Sequence, residues 1–169
     1  MLTSPSPAKR PQRNNAQMHT AHSLRVRPAL PDDEAAWRKL WRAYCDFYKT
    51  QLSETVTAHT WGRIIEPGSS VNCIFVERDG ELLGFANYVV HDNTWELQPL
   101  CYLEDLFVTP HARGTGSGRA MVQWLKDAMP TQGWARLYWV THRDNATARR
   151  VYDQFVPADD FVRYVIRRD

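Results

Sequence analysis

The sequence predicts one mixed α/β (α+β) domain whose elements run β-α-α-β-β-β-α-β-α-β. Three patterns carry that expectation: aromatic residues at helical spacing over 37–48, two apolar runs of period two joined by Asp79-Gly80, and a glycine-rich loop over 113–118 set between an apolar strand and an amphipathic helix. The chain has 169 residues, 43% hydrophobic and 24% charged, enough for a substantial single core. No apolar run approaches the roughly 20 residues that span a bilayer, so a membrane protein is not expected.

Residues 1–22 read as a disordered N-terminal tail and 23–169 as the folded domain. The tail is rich in Pro, Ser and Asn, nearly lacks large aliphatic residues, and carries Lys9, Arg10 and Arg13 with no acid. Removing that +3 from the net +2 leaves the domain at −1, which argues against a broadly basic nucleic-acid surface. The three cysteines, Cys45, Cys73 and Cys101, show no CxxC spacing and are odd in number. Neither a disulfide framework nor a zinc ribbon is indicated, and a reducing cytoplasm fits best. The six histidines form no HExxH or comparable cluster, so no metal is called for.

The first strand is read at LRVRPA, from residue 24. Pro31 and the acids after it then start a helix on which Trp37, Trp41, Tyr44 and Tyr48 share one face, with Phe47 beside them. A second helix is expected within SETVTAHTWGRII, headed by Ser53. VNCIFVER and ELLGFANYVV form a hairpin across Asp79-Gly80. After the loop HDNTWELQP, CYLEDLFVT is a further strand. The helix following the glycine loop is marked by Met121, Val122, Leu125, Ala128 and Met129. ARLYWVT, NATARRVYDQF and FVRYVIR complete the order as strand, helix and closing strand.

Gly114, Gly116 and Gly118 stand at alternate positions where a strand turns into a helix, an arrangement suited to an anion because free N–H groups and the helix N-terminus act together. The loop fails two familiar nucleotide motifs. Gly118 is followed by Arg119-Ala120 rather than Lys-Ser/Thr, and the third glycine of GxGxxG would fall on Arg119. Strand alternation places Tyr102, Glu104 and Leu106 on one face and Leu103, Asp105 and Phe107 on the other, unless a bulge intervenes.

Arg113-Gly114-Thr115-Gly116-Ser117-Gly118 resembles the RxxGxG/A acyl-CoA signature of the GNAT superfamily of N-acetyltransferases. YLEDLFVTPHARGTGSG is similar to the corresponding segment of polyamine and diamine (spermidine/spermine-like) members, and YWVTHRDNATARRVY to the family's later strand and helix. The resemblance spans about residues 24–167. It implies a mixed, mostly antiparallel central sheet flanked by helices, and transfer of acetyl from acetyl-CoA directly to a primary amine of a small molecule: a polyamine, a diamine or an amino acid. It assigns the pyrophosphate to Arg113 through Gly118, and the pantetheine arm to the strand-edge groups of Leu106, Phe107 and Val108 and to Asn145.

Acetyl transfer needs a neutral amine and a proton for the departing thiolate. An alkyl amine with a pKa of about 10 is mostly protonated at neutral pH, so a group must take that proton. By the resemblance Glu104 is the proton acceptor, through water, with Asp105 the alternative if a bulge reverses the faces. The resemblance makes Tyr152 the proton donor to the thiolate, seven residues from Asn145 and on nearly the same side of the helix. Tyr44 and Tyr48 are candidate contacts for a cationic acceptor, with Asp105 beside them. The rival readings are a protein N-terminal or lysine acetyltransferase and a non-catalytic acyl-CoA-binding regulatory module. A second copy of the chain is a candidate partner. One departure from the family pattern is FVPADDFVRY, which lacks the usual glycine turn before the closing strand.

Overall fold

The computed structural model describes residues 23–168; the tail expected over 1–22 lies outside the described residues. Five strands form one sheet in the order β1-β2-β3-β4-β5: β1 Arg25–Pro28, β2 Val71–Arg78, β3 Glu81–His91, β4 Leu100–Val108 and β5 Arg136–Trp139. The first four pair antiparallel, and β5 joins β4 in parallel. Four α-helices flank the sheet: α1 Glu34–Phe47, α2 Glu54–Ile65, α3 Ser117–Gln132 and α4 Ala146–Tyr152.

The local chemistry explains the boundaries. Asp79 and Gly80 both take positive φ (54° and 81°), the conformation a two-residue hairpin of matching twist requires. Ser53 caps α2, its hydroxyl accepting from the Val56 N–H at 3.2 Å. Gly133, at φ 69°, ends α3 in the left-handed region, three residues beyond Pro130.

Two apolar layers sandwich the sheet. On one face α1 and α2 bring Trp37, Trp41 and Trp61 onto Cys73, Phe75, Phe85 and Phe107, and the Trp37 and Trp41 rings stack 5.3 Å apart. On the other face Met121, Val122 and Leu125 of α3 pack on Ile74, Val76, Ala86, Tyr88 and Leu103. Phe75 and Phe85 are fully buried, each removing apolar surface worth about 1.5–3 kcal/mol.

The architecture follows the expected order from β1 to α4, and the closing strand is the exception. FVRYVIR forms no strand among the described residues, and its side chains are exposed. A strand exists only as a member of a ladder, and this segment lies against no neighbour that completes one. The last helix is also shorter than NATARRVYDQF, ending at Tyr152.

Candidate active site

The centre of the site is made where β4 parts from β5. Their parallel ladder runs from Leu100↔Arg136 to Leu103↔Trp139 and stops, so residues 104–108 have no β5 partner. At the same point β4 bulges: Tyr88 pairs with Leu103 and Asn87 with Asp105, leaving Glu104 unopposed. The extra residue inverts the alternation. Leu103 packs in the α3-side core, yet Asp105 bonds to α1 and Phe107 packs in the α1–α2 layer, while Leu106 and Val108 face α3. The face assignment from simple alternation is thereby corrected: Asp105 and Phe107 do share a face, but Leu103 is not on it.

The opening between β4 and β5 widens into a cleft of ≈540 Å³. Its walls include Glu104, Leu106, Phe107 and Val108 from β4, the loop residues Arg113, Gly114, Gly116, Ser117 and Gly118, Tyr44, Phe47 and Tyr48 from α1, and Asn145 and Tyr152 from the α4 region. Two residues proposed from sequence do not line it, Thr115 and Asp105. The Thr115 hydroxyl turns inward, donating to the Ala112 carbonyl at 2.7 Å and lying 2.9 Å from Ser117 Oγ. Asp105 is directed at α1, where Tyr44 donates to one carboxylate oxygen at 2.6 Å and Asn87 to the other at 3.0 Å. Each carboxylate oxygen thus accepts one hydrogen bond, and the bond from Tyr44 holds that hydroxyl in place.

The loop suits a phosphate. Gly114 and Gly116 have φ of 78° and 89°, which an L side chain adopts only under strain, and nothing lies within 4 Å of a Cβ built at Gly114. Gly116 caps α3, and the N–H groups of Ser117, Gly118 and Arg119 have no acceptor within the helix. Successive N–H groups at a helix start, with open space before them, form an anion-binding concavity. Arg113 stands beside the loop with its guanidinium 5.4 Å from the Phe47 ring and its Nε donating to the Val108 carbonyl at 3.3 Å.

Titration behaviour follows from burial. Tyr152 packs on Trp139 with ring centroids 5.2 Å apart, and burial, seconded by Tyr48, pushes its phenol up to about 12. It therefore holds its proton at neutral pH. Partial burial and then the neighbouring Asp105 raise the Glu104 carboxyl above the usual carboxylate range, with Arg63 and Arg163 opposing. Burial also raises Asp105, against the hydrogen bonds from Tyr44 and Asn87. Tyr44 is raised far above its ordinary value by burial and by Asp105, which keeps it a donor.

Asn145 has a structural duty that spacing alone did not reveal. It precedes α4 and caps it, its side-chain oxygen accepting from the Ala148 N–H at 3.2 Å while its amide donates to Thr141 Oγ1 at 3.3 Å. Sequence reasoning also missed Asn87, whose bond to Asp105 depends on register between distant strands, and Trp139, whose apolar character reads as core. Among the described residues no group of His, Cys, Asp and Glu is arranged to hold a metal ion.

The profile of the acetyltransferase (GNAT) family matches residues 34–155. A D-amino-acid N-acetyltransferase, HPA3, of Saccharomyces cerevisiae is 33% identical over 141 residues, covering 82% of this chain and 88% of the relative. An aminoglycoside N(6')-acetyltransferase type 1 of Klebsiella aerogenes is 30% identical, covering 66% of this chain and 70% of that protein. In structure, a ribosomal-protein-alanine N-acetyltransferase from Brucella melitensis superposes with a TM-score of 0.74 at 20% identity, over 86% of this chain and 99% of the other. The two sequence relatives name an amino acid and an aminoglycoside as acceptors, not a polyamine.

Proposed function

The chain belongs to the acetyltransferase (GNAT) family and is an acetyl-CoA-dependent enzyme, and from that premise we propose that it acetylates the primary amine of a small molecule, with amino acids ahead of polyamines and diamines. The observation that carries this reading is that one cleft joins the glycine loop at the start of α3, the acid on the β4 bulge and the phenol of Tyr152. Acetyl-CoA supplies an acyl group activated as a thioester. The backbone N–H groups of residues 116–119 and Arg113 bind its phosphates, and the open edge of β4 over 106–108 supports its pantetheine arm.

The residues then divide the proton work. Glu104, ionised above its raised pKa, takes the ammonium proton through a water, because a carboxylate is a weak base for a direct transfer. Tyr152 keeps its proton at neutral pH and holds it for the sulfur that departs. Tyr44 and Tyr48 wall the acceptor side, with Tyr44 fixed by Asp105. All three cysteines are buried free thiols, in keeping with a reducing compartment such as the cytoplasm.

The test is release of free thiol from acetyl-CoA across a panel of D- and L-amino acids, diamines, polyamines, aminoglycosides and short peptides. Turnover highest with amino acids is the expected result. Preference for polyamines would restore the spermidine-like assignment, preference for peptides would move the acceptor to proteins, and saturable acetyl-CoA binding without any product would make the domain a binding module.

A further inference from the structure

We infer that Asn87 is a positioning residue: acting through Asp105, it fixes the Tyr44 hydroxyl as a hydrogen-bond acceptor toward the cleft, where that oxygen receives an N–H of the acceptor's ammonium group. The role rests on the amine acetylation proposed above. Asn87 is a polar side chain placed at a cost. It is only 3% exposed, its neighbours Phe85, Ala86 and Tyr88 on β3 are core residues, and its Oδ1 finds no hydrogen-bond partner among the described residues. An orphaned buried oxygen costs about 1–3 kcal/mol, so packing alone does not account for an asparagine there.

The Asn87 side chain makes one bond, from Nδ2 to Asp105 Oδ2 at 3.0 Å. The amide presents its nitrogen on that side because a carboxylate only accepts. The bond exists because β4 bulges: the register shift between Asn87 and Tyr88 sets Asp105 opposite Asn87 and leaves Glu104 without a partner. One irregularity therefore supplies both the acid in the cleft and the carboxylate behind Tyr44.

Tyr44 is held by its ring as well as by its hydroxyl. The ring meets those of Trp41, Tyr48, Phe85 and Phe107 at centroid distances from 4.9 to 6.2 Å. The hydroxyl donates its single proton to Asp105 Oδ1 at 2.6 Å, a short bond to a charged acceptor. A phenol with its proton committed has only lone pairs left to offer. Backed by a carboxylate, the Tyr44 oxygen favours a cationic N–H donor in the cleft over a carboxylate or a carbonyl. Glu104 opens on the same cleft, so an ammonium group gives one N–H to Tyr44 as a hydrogen bond while another proton leaves toward Glu104.

The probe is the amine of the panel above that the parent chain turns over fastest. Tyr44→Phe keeps the ring and removes the oxygen, so the KM for that amine is expected to rise about 10–100-fold, the loss of one hydrogen bond to a charged group. Both kcat and the acetyl-CoA Kd should stay unchanged, as for an interaction made equally before and during reaction. Asn87→Ala, or Asn87→Ser if the alanine variant does not fold, is expected to raise the same KM about 3–10-fold. It should add nothing in a chain already carrying Tyr44→Phe, because its effect passes through that hydroxyl. An asparagine with a merely structural role would cost the same in both backgrounds. In calorimetry on the chain saturated with CoA, the same molecule without its nitrogen should bind the parent and Tyr44→Phe alike. An unmoved amine KM in Tyr44→Phe, additive losses in the double variant, or equal weakening of the nitrogen-free molecule would overturn the inference and leave amine acetylation standing. A parent chain that acetylates no amine would overturn both.

Discussion

In the proposed division of the proton work, burial makes Glu104 a stronger base and keeps the Tyr152 phenol protonated. A Glu104 pKa above the ordinary carboxylate range brings its proton affinity nearer that of an amine, and the group is ionised only above that pKa. Activity with an amine acceptor is therefore expected to fall as pH drops through it. Glu104→Gln should lower kcat/KM by about 10²–10⁴-fold and flatten this acid limb, as a pH–rate profile would show. An unchanged limb would move the base to another group. Tyr152, pushed up to about 12, is a donor at every physiological pH. Tyr152→Phe keeps the ring on Trp139 and removes the proton, so kcat should fall on the order of 10²-fold while acetyl-CoA affinity changes little. Equal losses in turnover and affinity would point to packing instead.

At the scale of the element, β4 shapes the site, and its bulge takes Leu103 off the face that Asp105 and Phe107 share. Glu104 is aimed into the cleft as the unopposed residue, and Asp105 is drawn to Tyr44 and Asn87. The neighbouring strand constrains this closely. A Cβ built at Gly84 of β3 would stand 2.3 Å from the Phe107 carbonyl oxygen, a backbone atom that cannot swing aside. Gly84→Ala is accordingly expected to force β3 and β4 apart and cost about 1–3 kcal/mol, read as a lower urea midpoint at an unchanged slope. Stability equal to that of the parent would show that β4 yields freely at Phe107.

At the scale of the whole molecule, the cleft draws on β4, the loop, α1 and the α4 region, so filling it should tighten the domain as a unit. Acetyl-CoA at 100 times its Kd should stabilise by about 2.7 kcal/mol, raising the melting temperature by roughly 5–10 °C for a domain of this size. Gly116→Val places a β-branched side chain at φ 89° and blocks the start of α3. That variant should melt somewhat lower without ligand and lose the ligand-induced rise. A full rise in the folded variant would separate the glycine loop from donor binding.

Local chemistry made much of this protein legible in its sequence. The hairpin at Asp79-Gly80, the Ser53 cap, the aromatic face of α1 and the glycine loop before α3 are each dictated by neighbours within a few residues, and the structure forms all four. What depends on distant partners was decided only in the tertiary structure. The Glu104 bulge arises from register with β3, the Asp105–Tyr44–Asn87 chain joins three elements, and the Thr115 hydroxyl is spent inside its own loop. FVRYVIR shows the limit most plainly: strand propensity is a property of the segment, but a strand requires a neighbour to accept its hydrogen bonds, and the single chain does not place one there.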